Sequence, residues 1–490
     1  MRLSKSRYLR GLQCHKALWL DHLRPDLRAP VSPALQRIFD QGRTVGELAR
    51  RRFPGGTLIA ADHEHIPDAL KQTEDALRGG AKTLFEPAFI HDDVLARPDI
   101  LVQSEDGWDL IEVKASTDVK EVYLPDVAAQ LFAVRGSGLK VRRALLMHVD
   151  NTYVRQGAVD PKRFFRTEDV TALCAPHLKE LPQKLAAMQA ALAGGDMPDV
   201  EIGAQCSSPY DCDFRDFCWK HVPDYSVYDL KRADFGTITE LRHLGVMRLE
   251  DIPADFGLTD AQEIQVRAAK TGEPHIDGPA IAKHLQGLAY PLHFLDFETV
   301  NLAVPPYDGL RPFQALSFQA SLHVLAEPGG EPKHLEYLAD PKSDPRPGMV
   351  EFLVQSIGPK GSVVAYNIGF EGGRLAELAA AFPKQAKALA GIQKRLWDLI
   401  VPFRRSLFVH PDMHGSASMK AVLPALVPGM DYEHLDISNG EMAFLAYESL
   451  MAGKASAAQS KKVMAALREY CGQDTLGMVE ILRVLEQYAA

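Results

Sequence analysis

The chain has 490 residues, of which 46% are apolar and 24% are charged, and its formal net charge is −9. This length is too great for one ordinary core, so we expect two or three globular domains. No window reaches the roughly 18 uninterrupted apolar residues of a membrane span, and the basic N-terminus lacks the features of a secretory signal, so we expect a cytoplasmic protein with no membrane partner. The negative charge does not exclude a nuclease, because metal-binding carboxylates make such proteins acidic while only the groove must be basic.

Cysteines are the first unusual feature along the chain. Three of them stand at equal spacing in CSSPYDCDFRDFCW (206–219), with five residues in each gap, and Cys14 in YLRGLQCHKALWL is the best candidate for a fourth. Zinc sites usually contain cysteine pairs two to four residues apart, whereas four thiolates at wider gaps suit an iron–sulfur cluster better. Zinc and unrelated cysteines remain as alternatives. The predicted thiol ligands are Cys14, Cys206, Cys212 and Cys218; the other two, Cys174 and Cys471, are expected to be ordinary buried thiols.

Between these cysteines, the segment ARPDILVQSEDGWDLIEVKAS (96–116) predicts a β-hairpin with its turn at 104–107. Alternate residues of a strand share a face, so Glu112 and Lys114 point the same way, and Asp99 on the incoming strand can reach the same spot. Two carboxylates and an ammonium group there are suited to a hydrolytic site that binds Mg²⁺ or Mn²⁺. The alternative is a surface strand with an ordinary Glu/Lys pair.

This hairpin resembles the PD-(D/E)XK nucleases, because Pro98-Asp99 is followed after twelve residues by Glu-x-Lys. Gln130, on a helix predicted for DVAAQLFAV, resembles the QxxxY motif of the RecB-like branch, although Val134 replaces the tyrosine. Glu47, on another predicted helix, stands where that branch often carries a further metal-site acid or histidine.

RecB-like nucleases of the AddB and CRISPR-associated kinds also carry one cysteine before the nuclease core and three after it, as this chain does. The resemblance therefore implies a [4Fe-4S] cluster that serves as a structural staple. It covers about residues 1–225. The next segment, 226–285, is polar and helical in pattern, with two helix-like runs around Gly245. A plain helical linker is the favoured interpretation, and a faint helix-hairpin-helix, whose glycine turn would meet a phosphate, is the alternative.

A second acidic constellation begins at LAYPLHFLDFETV (288–300), an apolar strand interrupted by Asp296 and Glu298. The two acids share a face, and two like charges on a buried strand are costly unless a cation neutralises them. The pattern therefore predicts metal ligands. Further candidates follow in GSVVAYNIGFEGGRL, LWDLIVPF, SASMKAVLPAL and the helix REYCGQDTLGMVEIL: Asn367, Glu371, Asp398, Lys420, Tyr470 and Asp474.

This order of residues resembles the DEDD exonucleases of the DnaQ or RNase H-like fold, in the tyrosine subgroup. The resemblance implies that four acids hold two metal ions and that Tyr470 orients the attacking water. Glu371 stands where the family usually has aspartate, so Asp398 remains a possible substitute. Asn367 and Lys420 are candidates for substrate contacts, although a plain helix is the favoured interpretation around Lys420.

We thus expect an α/β (α+β) protein in three parts: a PD-(D/E)XK mixed sheet flanked by helices (1–225), a helical connector (226–285) and an RNase H-like α/β domain (286–490). The whole chain resembles a bacterial family that fuses the two nuclease modules. The leading hypothesis is a metal-dependent nuclease with two sites that acts on nucleic acid, with DNA favoured. The alternatives are an RNA-processing 3′–5′ exonuclease whose front half only binds nucleic acid, and a non-enzymatic iron–sulfur sensor. Protein partners are not predicted.

Overall fold

A computed structural model describes residues 2–489, and its mixed sheets flanked by helices confirm the expected α+β class. The chain divides into two compact units. The front unit comprises Met1–His221 and Leu302–Gln314, and the rear unit comprises Val222–Asn301 and Ala315–Ala490. The segment 226–285, expected as a separate connector, is therefore part of the rear unit. No helix within residues 2–489 combines the length and the apolar character that crossing a membrane requires.

In the described residues, the front unit contains nine strands and eight α-helices. Its strands are β1 Leu3–Ser4, β2 Thr57–Leu58, β3 Thr83–Phe85, β4 Phe89–His91, β5 Val94–Ala96, β6 Ile100–Ser104, β7 Gly107–Lys114, β8 Val141–Val149 and β9 Phe165–Asp169. Its helices are α1 Lys5–Gln13, α2 His15–Leu23, α3 Pro33–Arg50, α4 Ile66–Arg78, α5 Leu124–Gly136, α6 Pro161–Phe164, α7 Ala175–Ala193 and α8 Arg215–Cys218.

The main sheet of the front unit has six strands in the order β2-β3-β6-β7-β8-β9. Strands β6 and β7 form the predicted hairpin, in which Ser104 pairs with Gly107 across a two-residue loop. Strand β8 runs parallel to β7, and α5 is the crossover between them. Apolar residues cover both faces of the sheet, so β7 lies between two layers of core.

The rear unit, as far as residue 489, contains seven strands and ten α-helices. Its strands are β10 His275–Ile276, β11 Leu292–Val300, β12 Leu316–Leu325, β13 Lys333–Leu338, β14 Val363–Ala365, β15 Leu396–Asp398 and β16 Phe408–Val409. Its helices are α9 Phe235–His243, α10 Asp260–Thr271, α11 Gly278–Leu285, α12 Arg346–Ser356, α13 Ile368–Ala381, α14 Ala386–Gln393, α15 Val401–Arg404, α16 Met419–Leu426, α17 Gly440–Met451 and α18 Ala457–Ala489.

The five-stranded sheet of the rear unit has the order β13-β12-β11-β14-β15. Strand β11 lies at its centre, antiparallel to β12 and parallel to β14, which is in turn parallel to β15. The long helix α18 lies across β11 and β12. Gln319 and Ser321, which pair with Glu298 and Asp296 across the two strands, bind this helix through the Leu467 carbonyl and the Thr475 hydroxyl. The face of the sheet that carries the acids is thereby fixed against α18.

The segment 226–285 contains α9, α10 and α11 and has a small apolar core of its own, centred on residues such as Leu241, Leu249 and Val266. Gly245 follows the end of α9 with φ +79°, a left-handed conformation that glycine adopts without strain. No second helix begins directly after it, because the next α-helix starts only at Asp260. The short turn of a helix-hairpin-helix is therefore absent from this part of the described chain.

Candidate metal centres

The front cluster is a set of acids, lysines and one glutamine at the carboxyl end of β7. Glu112 and Lys114 share a face of that strand, and the Lys114 Nζ donates to Glu112 Oε1 at 2.7 Å. Asp99, just before β6, accepts a hydrogen bond from the Val113 N–H at 2.6 Å. Gln130 on α5 donates through Nε2 to Glu112 Oε2 at 2.8 Å. The structure thus brings together four of the predicted residues of this site.

Two members of the front cluster were not predicted. Asp126 precedes Gln130 by one turn of α5; its carboxylate accepts from Lys114 at 2.6 Å and from Gln130 at 2.9 Å. Lys5, the first residue of α1, lies with its Nζ 2.9 Å from Glu112 Oε1 and 3.1 Å from Asp126 Oδ1. The i, i+4 spacing of Asp126 and Gln130 on one helix face was a usable signal for the aspartate. Nothing in the sequence near Lys5 indicated its partner.

The lysines determine the electrostatics of the front cluster. Burial alone would raise the pKa of Glu112, but the charges of Lys114 and Lys5 hold it below its usual value. Burial would likewise lower the pKa of Lys5, but Asp126 and Glu112 raise it above its usual value. Asp99 behaves differently: burial and then the Glu112 charge raise the pKa of this acid to about 8. The carboxylates of Glu112 and Asp126 therefore face the two ammonium groups of Lys5 and Lys114.

Glu47 lies apart from this cluster. It is exposed on α3, a helix whose opposite face packs through Val45, Leu48 and Ala49 into the core beneath β7. Among residues 2–489 no hydrogen bond or ion pair joins Glu47 to Asp99 or Glu112. As a metal ligand, Glu47 therefore remains a prediction that the geometry does not support.

The thiol cluster consists of Cys14, Cys206, Cys212 and Cys218, all of which are free thiols. They line one recess of about 340 Å³, a volume that includes space open to solvent. Cys14 ends α1 and caps α2, because its Sγ accepts the Ala17 N–H at 3.4 Å. Burial raises the pKa of the Cys212 thiol, and the neighbouring Cys14 and Cys206 add to the shift. Residues about 200 positions apart in the sequence are thus brought to one site.

The N-terminal helices and the segment that carries Cys206, Cys212 and Cys218 are joined by a buried aromatic ring and by an ion pair. Phe214 is fully buried against Ala17 and Leu20 of α2. Arg10 of α1 donates to the Asp213 carboxylate at 2.7 Å.

The spacing of the thiols bears on what they would hold. A tetrahedral zinc site with Zn–S near 2.3 Å sets its sulfurs roughly 3.8 Å apart. Within residues 2–489, no three of these thiols have sulfurs all within 4.8 Å of one another. In the described part of the chain, these sulfurs are therefore not as close together as the ligands of a bound zinc ion, and the iron–sulfur cluster that the resemblance implies stays a prediction.

The rear cluster lies on β11 and on the helices that cover it. Asp296, Glu298 and Cys471 offer donor atoms that all lie within 4.8 Å of one another, and the Cys471 Sγ donates to Asp296 Oδ2 at 3.5 Å. Asp474, one turn further along α18, accepts from the Tyr432 hydroxyl at 2.5 Å and also from Tyr470. A strand and a helix distant in sequence thus bring Asp296, Glu298, Tyr470 and Asp474 together.

Burial raises the pKa of each of Asp296, Glu298 and Asp474, and neighbouring acids add to the shift for Glu298 and Asp474. Burial raises the pKa of Asp296 to about 6, and burial with the Asp296 charge raises the pKa of Asp474 to about 8. The pKa of Glu298 rises well above its usual value for the same reasons, with Asp474 adding to the shift. Lys420 is the cation that acts on Glu298 and Asp474, and it is exposed. Carboxyl groups here outnumber the nearby cation, which is the condition that favours metal binding.

Glu371, at the start of α13, is the candidate for the fourth acid that interacts with Asp296. It is 4% exposed, and burial followed by the Asp296 charge raises its pKa to about 8. Its Oε2 atom has no hydrogen-bond partner in residues 2–489. Asp398, at the end of β15, has its own carboxylate bonded to the Ile400 N–H at 3.3 Å. A buried carboxylate oxygen that has no hydrogen-bond partner and interacts with Asp296 suits a hard divalent cation such as Mg²⁺ or Mn²⁺.

The sequence did not predict that Cys471 and Tyr432 belong to the rear cluster. Cys471 was expected to be an ordinary buried thiol; it is buried, but it contacts Asp296 directly. Its position between Tyr470 and Asp474 was the available signal. Tyr432 lies in an irregular segment, and nothing in its surroundings predicted a bond to Asp474.

Of the two candidates for substrate contacts, Lys420 on α16 has its Nζ 5.9 Å from the centre of the Tyr432 ring, so it lies beside the rear cluster. Asn367 is exposed and precedes α13 without capping it through its side chain.

Two comparisons with known proteins match parts of this chain. A family model described as Domain of unknown function (DUF2779) matches residues 293–418, a range that includes Asp296, Glu298 and Glu371 but not Asp474. The chain is also similar to the Uncharacterized protein UU173 of Ureaplasma parvum serovar 3 (strain ATCC 700970), with 25% identity over 280 residues. That match covers 52% of this chain and 40% of the relative, so the chain spans less than half of the relative's length. Neither description names an activity.

Proposed function

We propose that this chain is a metal-dependent phosphodiester hydrolase that acts on nucleic acid, with DNA the favoured polymer. The observation that carries the proposal is the rear cluster, in which Asp296, Glu298 and Asp474 are buried together with raised pKa values. A protein gains nothing in stability from such a group of acids, so a role in binding cations accounts for it best.

The fold supports the same proposal. A central strand antiparallel to its neighbour on one side and parallel to two on the other is the arrangement expected of an RNase H-like sheet. The tyrosine-subgroup resemblance places the acids on the first strand and the last helix, and β11 and α18 carry them.

Each side chain of the rear cluster has a distinct part in this proposal. Asp296, Glu298 and Asp474 would hold divalent cations, with Glu371 as the further ligand. Bound cations of this kind supply a nucleophilic water and neutralise charge on the scissile phosphate. Tyr470 would orient the attacking water, and Tyr432 would hold Asp474 in place through its hydroxyl.

The front cluster supports two candidate roles. Its Asp99, Glu112, Lys114 and Gln130 fit the PD-(D/E)XK resemblance, so it would be a second hydrolytic site with Mg²⁺ or Mn²⁺ on the acids. The alternative is that the front unit only binds nucleic acid beside a 3′–5′ exonuclease that processes RNA. The observation that favours this alternative is that Glu112 already accepts from Lys5, Lys114 and Gln130.

The thiol cluster would hold a [4Fe-4S] cluster as a staple between the two ends of the front unit. This part of the proposal includes a reducing compartment, the cytoplasm, because thiols must remain reduced to bind iron. Iron and sulfide analysis of protein purified without oxygen tests it.

A cleavage assay tests the function directly. End-labelled single- and double-stranded DNA and RNA would be incubated with Mn²⁺ and with wild type, Glu112→Ala, Glu298→Ala or the double variant. Glu105→Ala and Glu327→Ala are matched controls, because both glutamates are exposed in the same units. We expect Glu298→Ala to remove one set of products and the controls to remove none.

If Glu112→Ala removes a second set, both clusters cleave, and the preferred polymer identifies the class of pathway: repair, recombination or defence for DNA. If Glu112→Ala keeps full activity, the binding-module alternative is correct. Absence of cleavage of every polymer with each divalent cation would refute the proposed function.

A further inference from the structure

Helix α1 begins with Lys5, although a positively charged side chain is unfavourable at the N-terminus of a helix. Lys5 is its first residue, directly after Ser4, whose hydroxyl caps the helix by accepting the Arg7 N–H at 3.3 Å. A positive charge at a helix N-terminus opposes the macrodipole and is unfavourable there. Local helix chemistry therefore does not account for Lys5. Its partners across the fold do, because its Nζ bridges Glu112 and Asp126.

Asp126 can keep Lys5 in the front cluster when Glu112 binds a divalent cation instead of the lysines. Its Oδ1 lies 3.1 Å from the Lys5 Nζ, and its Oδ2 accepts from Lys114 at 2.6 Å. If Glu112 binds a divalent cation, both ammonium groups retain a carboxylate partner. Lys5 would then face the bound cation across a short distance, and like charges repel in a site that excludes water.

The other end of helix α1 enters the thiol cluster. The helix has nine residues, about 13 Å at 1.5 Å per residue, and Cys14 follows its last residue. Its middle is packed as well: Tyr8 is 1% exposed, and a Cβ on Gly11 would lie 2.6 Å from the Met188 sulfur. One short, rigid element therefore connects a metal-binding cysteine candidate with the front acids.

We propose that Lys5 is a positioning residue of the front cluster, that it lowers the affinity of Glu112 for a divalent cation, and that the thiol cluster holds it there through α1. This inference rests on the proposed function, since it assumes that the front cluster binds such a cation.

The test measures Mn²⁺ affinity by calorimetry in the iron-loaded chain carrying Asp296→Asn and Glu298→Gln, which remove binding at the rear cluster. We expect Lys5→Met to bind Mn²⁺ about ten-fold more tightly at low salt, because one facing positive charge is lost. Lys5→Arg, which keeps the charge, should stay within about three-fold. Arg2→Met is the matched control, because Arg2 is exposed beside the same helix, and it should bind as wild type does.

The coupling is tested with Cys14→Ser, because serine can still cap α2 in place of the thiol. We expect loss of iron, faster hydrogen exchange in α1 and a Mn²⁺ affinity that moves toward that of Lys5→Met. Cys174→Ser is the control, since Cys174 is buried in the same unit but does not line the recess. Cys218→Ser, which leaves the junction of α1 and α2 unchanged in sequence, guards against misfolding of the first variant and should give the same three changes.

Unchanged Mn²⁺ affinity in Lys5→Met, or no Mn²⁺ binding at the front cluster in any variant, would overturn the inference about Lys5. Loss of iron with unchanged exchange in α1 would overturn the coupling. A chain that cleaves no nucleic acid but shows these affinity changes would refute the proposed function and leave the inference in place.

Discussion

The front and rear clusters are both buried groups of acids, but they obtain their compensating charge differently. In the front cluster, Lys5 and Lys114 lie within 3.1 Å of the carboxylates, and the pKa of Glu112 falls. In the rear cluster, the pKa of Glu298 rises, because burial and the neighbouring acids outweigh the exposed Lys420. The direction of the pKa shift therefore separates an acid that the chain neutralises itself from an acid that requires an added cation.

Replacing one glutamate in each cluster by glutamine should change the stability of the two units in different ways, and this is the largest effect that we expect. Without metal, Glu112→Gln should destabilise the protein by about 3 kcal/mol, because it leaves two ammonium groups facing one carboxylate. This is the low end of the range for a broken buried pair, since the lysine side chains are 24% and 20% exposed. Glu298→Gln should leave stability unchanged or raise it, because burial and the neighbouring acids already disfavour the ionised form of Glu298. Calorimetric unfolding in EDTA measures both.

The matched controls are Glu105→Gln and Glu327→Gln, exposed glutamates that should not change the unfolding temperature. A destabilised Glu298→Gln with an unaffected Glu112→Gln would reverse the comparison and show that the lysines do not compensate the front acids.

The pH dependence of stability should be dominated by acids with raised pKa values. The pKa of Asp474 rises from 3.8 to about 8 in the folded protein, and that of Glu371 rises from 4.5 to about 8. The stabilising contribution of such groups is complete below the unfolded pKa and is lost as pH rises through the folded one. In EDTA the unfolding temperature should therefore fall from pH 5 to pH 8. The raised pKa of Asp99 in the front cluster lowers stability over the same pH range. The lowered pKa of Glu112 affects stability only below about pH 5, where protonation removes its stabilising charge.

Two variants identify the source of this slope. Asp474→Asn and Glu371→Gln should each flatten the fall between pH 5 and 8, and Mn²⁺ at pH 8 should recover stability in wild type more than in either variant. Equal slopes in all three proteins would show that the rear acids are not the groups that titrate.

Much of both clusters could be predicted because the signals were local. Asp296 and Glu298 interrupt an apolar strand, and Glu112 and Lys114 alternate on a hairpin, so a spacing of two placed each pair on one face. The hairpin turn and the strand β11 were predicted for the same reason. Tyr470 and Asp474 were found through the i, i+4 spacing of a helix.

The residues that were missed are those placed by tertiary packing alone. Lys5 reaches Glu112 across 107 positions, and Tyr432 reaches Asp474 from an irregular segment, so no periodicity connects either pair. The segment 226–285 was expected to be a polar connector because its apolar residues are scattered. They nevertheless form a small core once α9 and α10 pack together.

Tyr432→Phe tests how much of the rear cluster depends on a residue that the sequence did not reveal. Loss of the hydroxyl removes the 2.5 Å bond to Asp474, so the carboxylate should be less well oriented. A hydrogen bond to a charged group is worth about 1.5–3 kcal/mol, and because Tyr470 still donates to Asp474 we expect a loss near ten-fold in cleavage. Wild-type kcat in Tyr432→Phe would mean that Tyr470 alone orients the acid. Tyr290→Phe, a tyrosine bonded only at the surface of the rear unit, is the control.

The smallest effect distinguishes oxygen ligands from the thiol in the rear cluster. Cys471→Ser should keep Mn²⁺-dependent cleavage within about three-fold, because hard cations rely on the carboxylates of Asp296 and Glu298. Binding of a thiophilic ion should change more, since the Cys471 Sγ completes a trio of donors within 4.8 Å. We therefore expect Cd²⁺ to compete with Mn²⁺ in wild type and to compete much less in Cys471→Ser, as measured by inhibition of cleavage at fixed Mn²⁺. Equal inhibition of both proteins by Cd²⁺ would show that the rear cluster binds cations through oxygen alone. The two clusters would then differ only in what binds their carboxylate oxygens: added cations in the rear cluster, and the side chains of Lys5 and Lys114 in the front cluster.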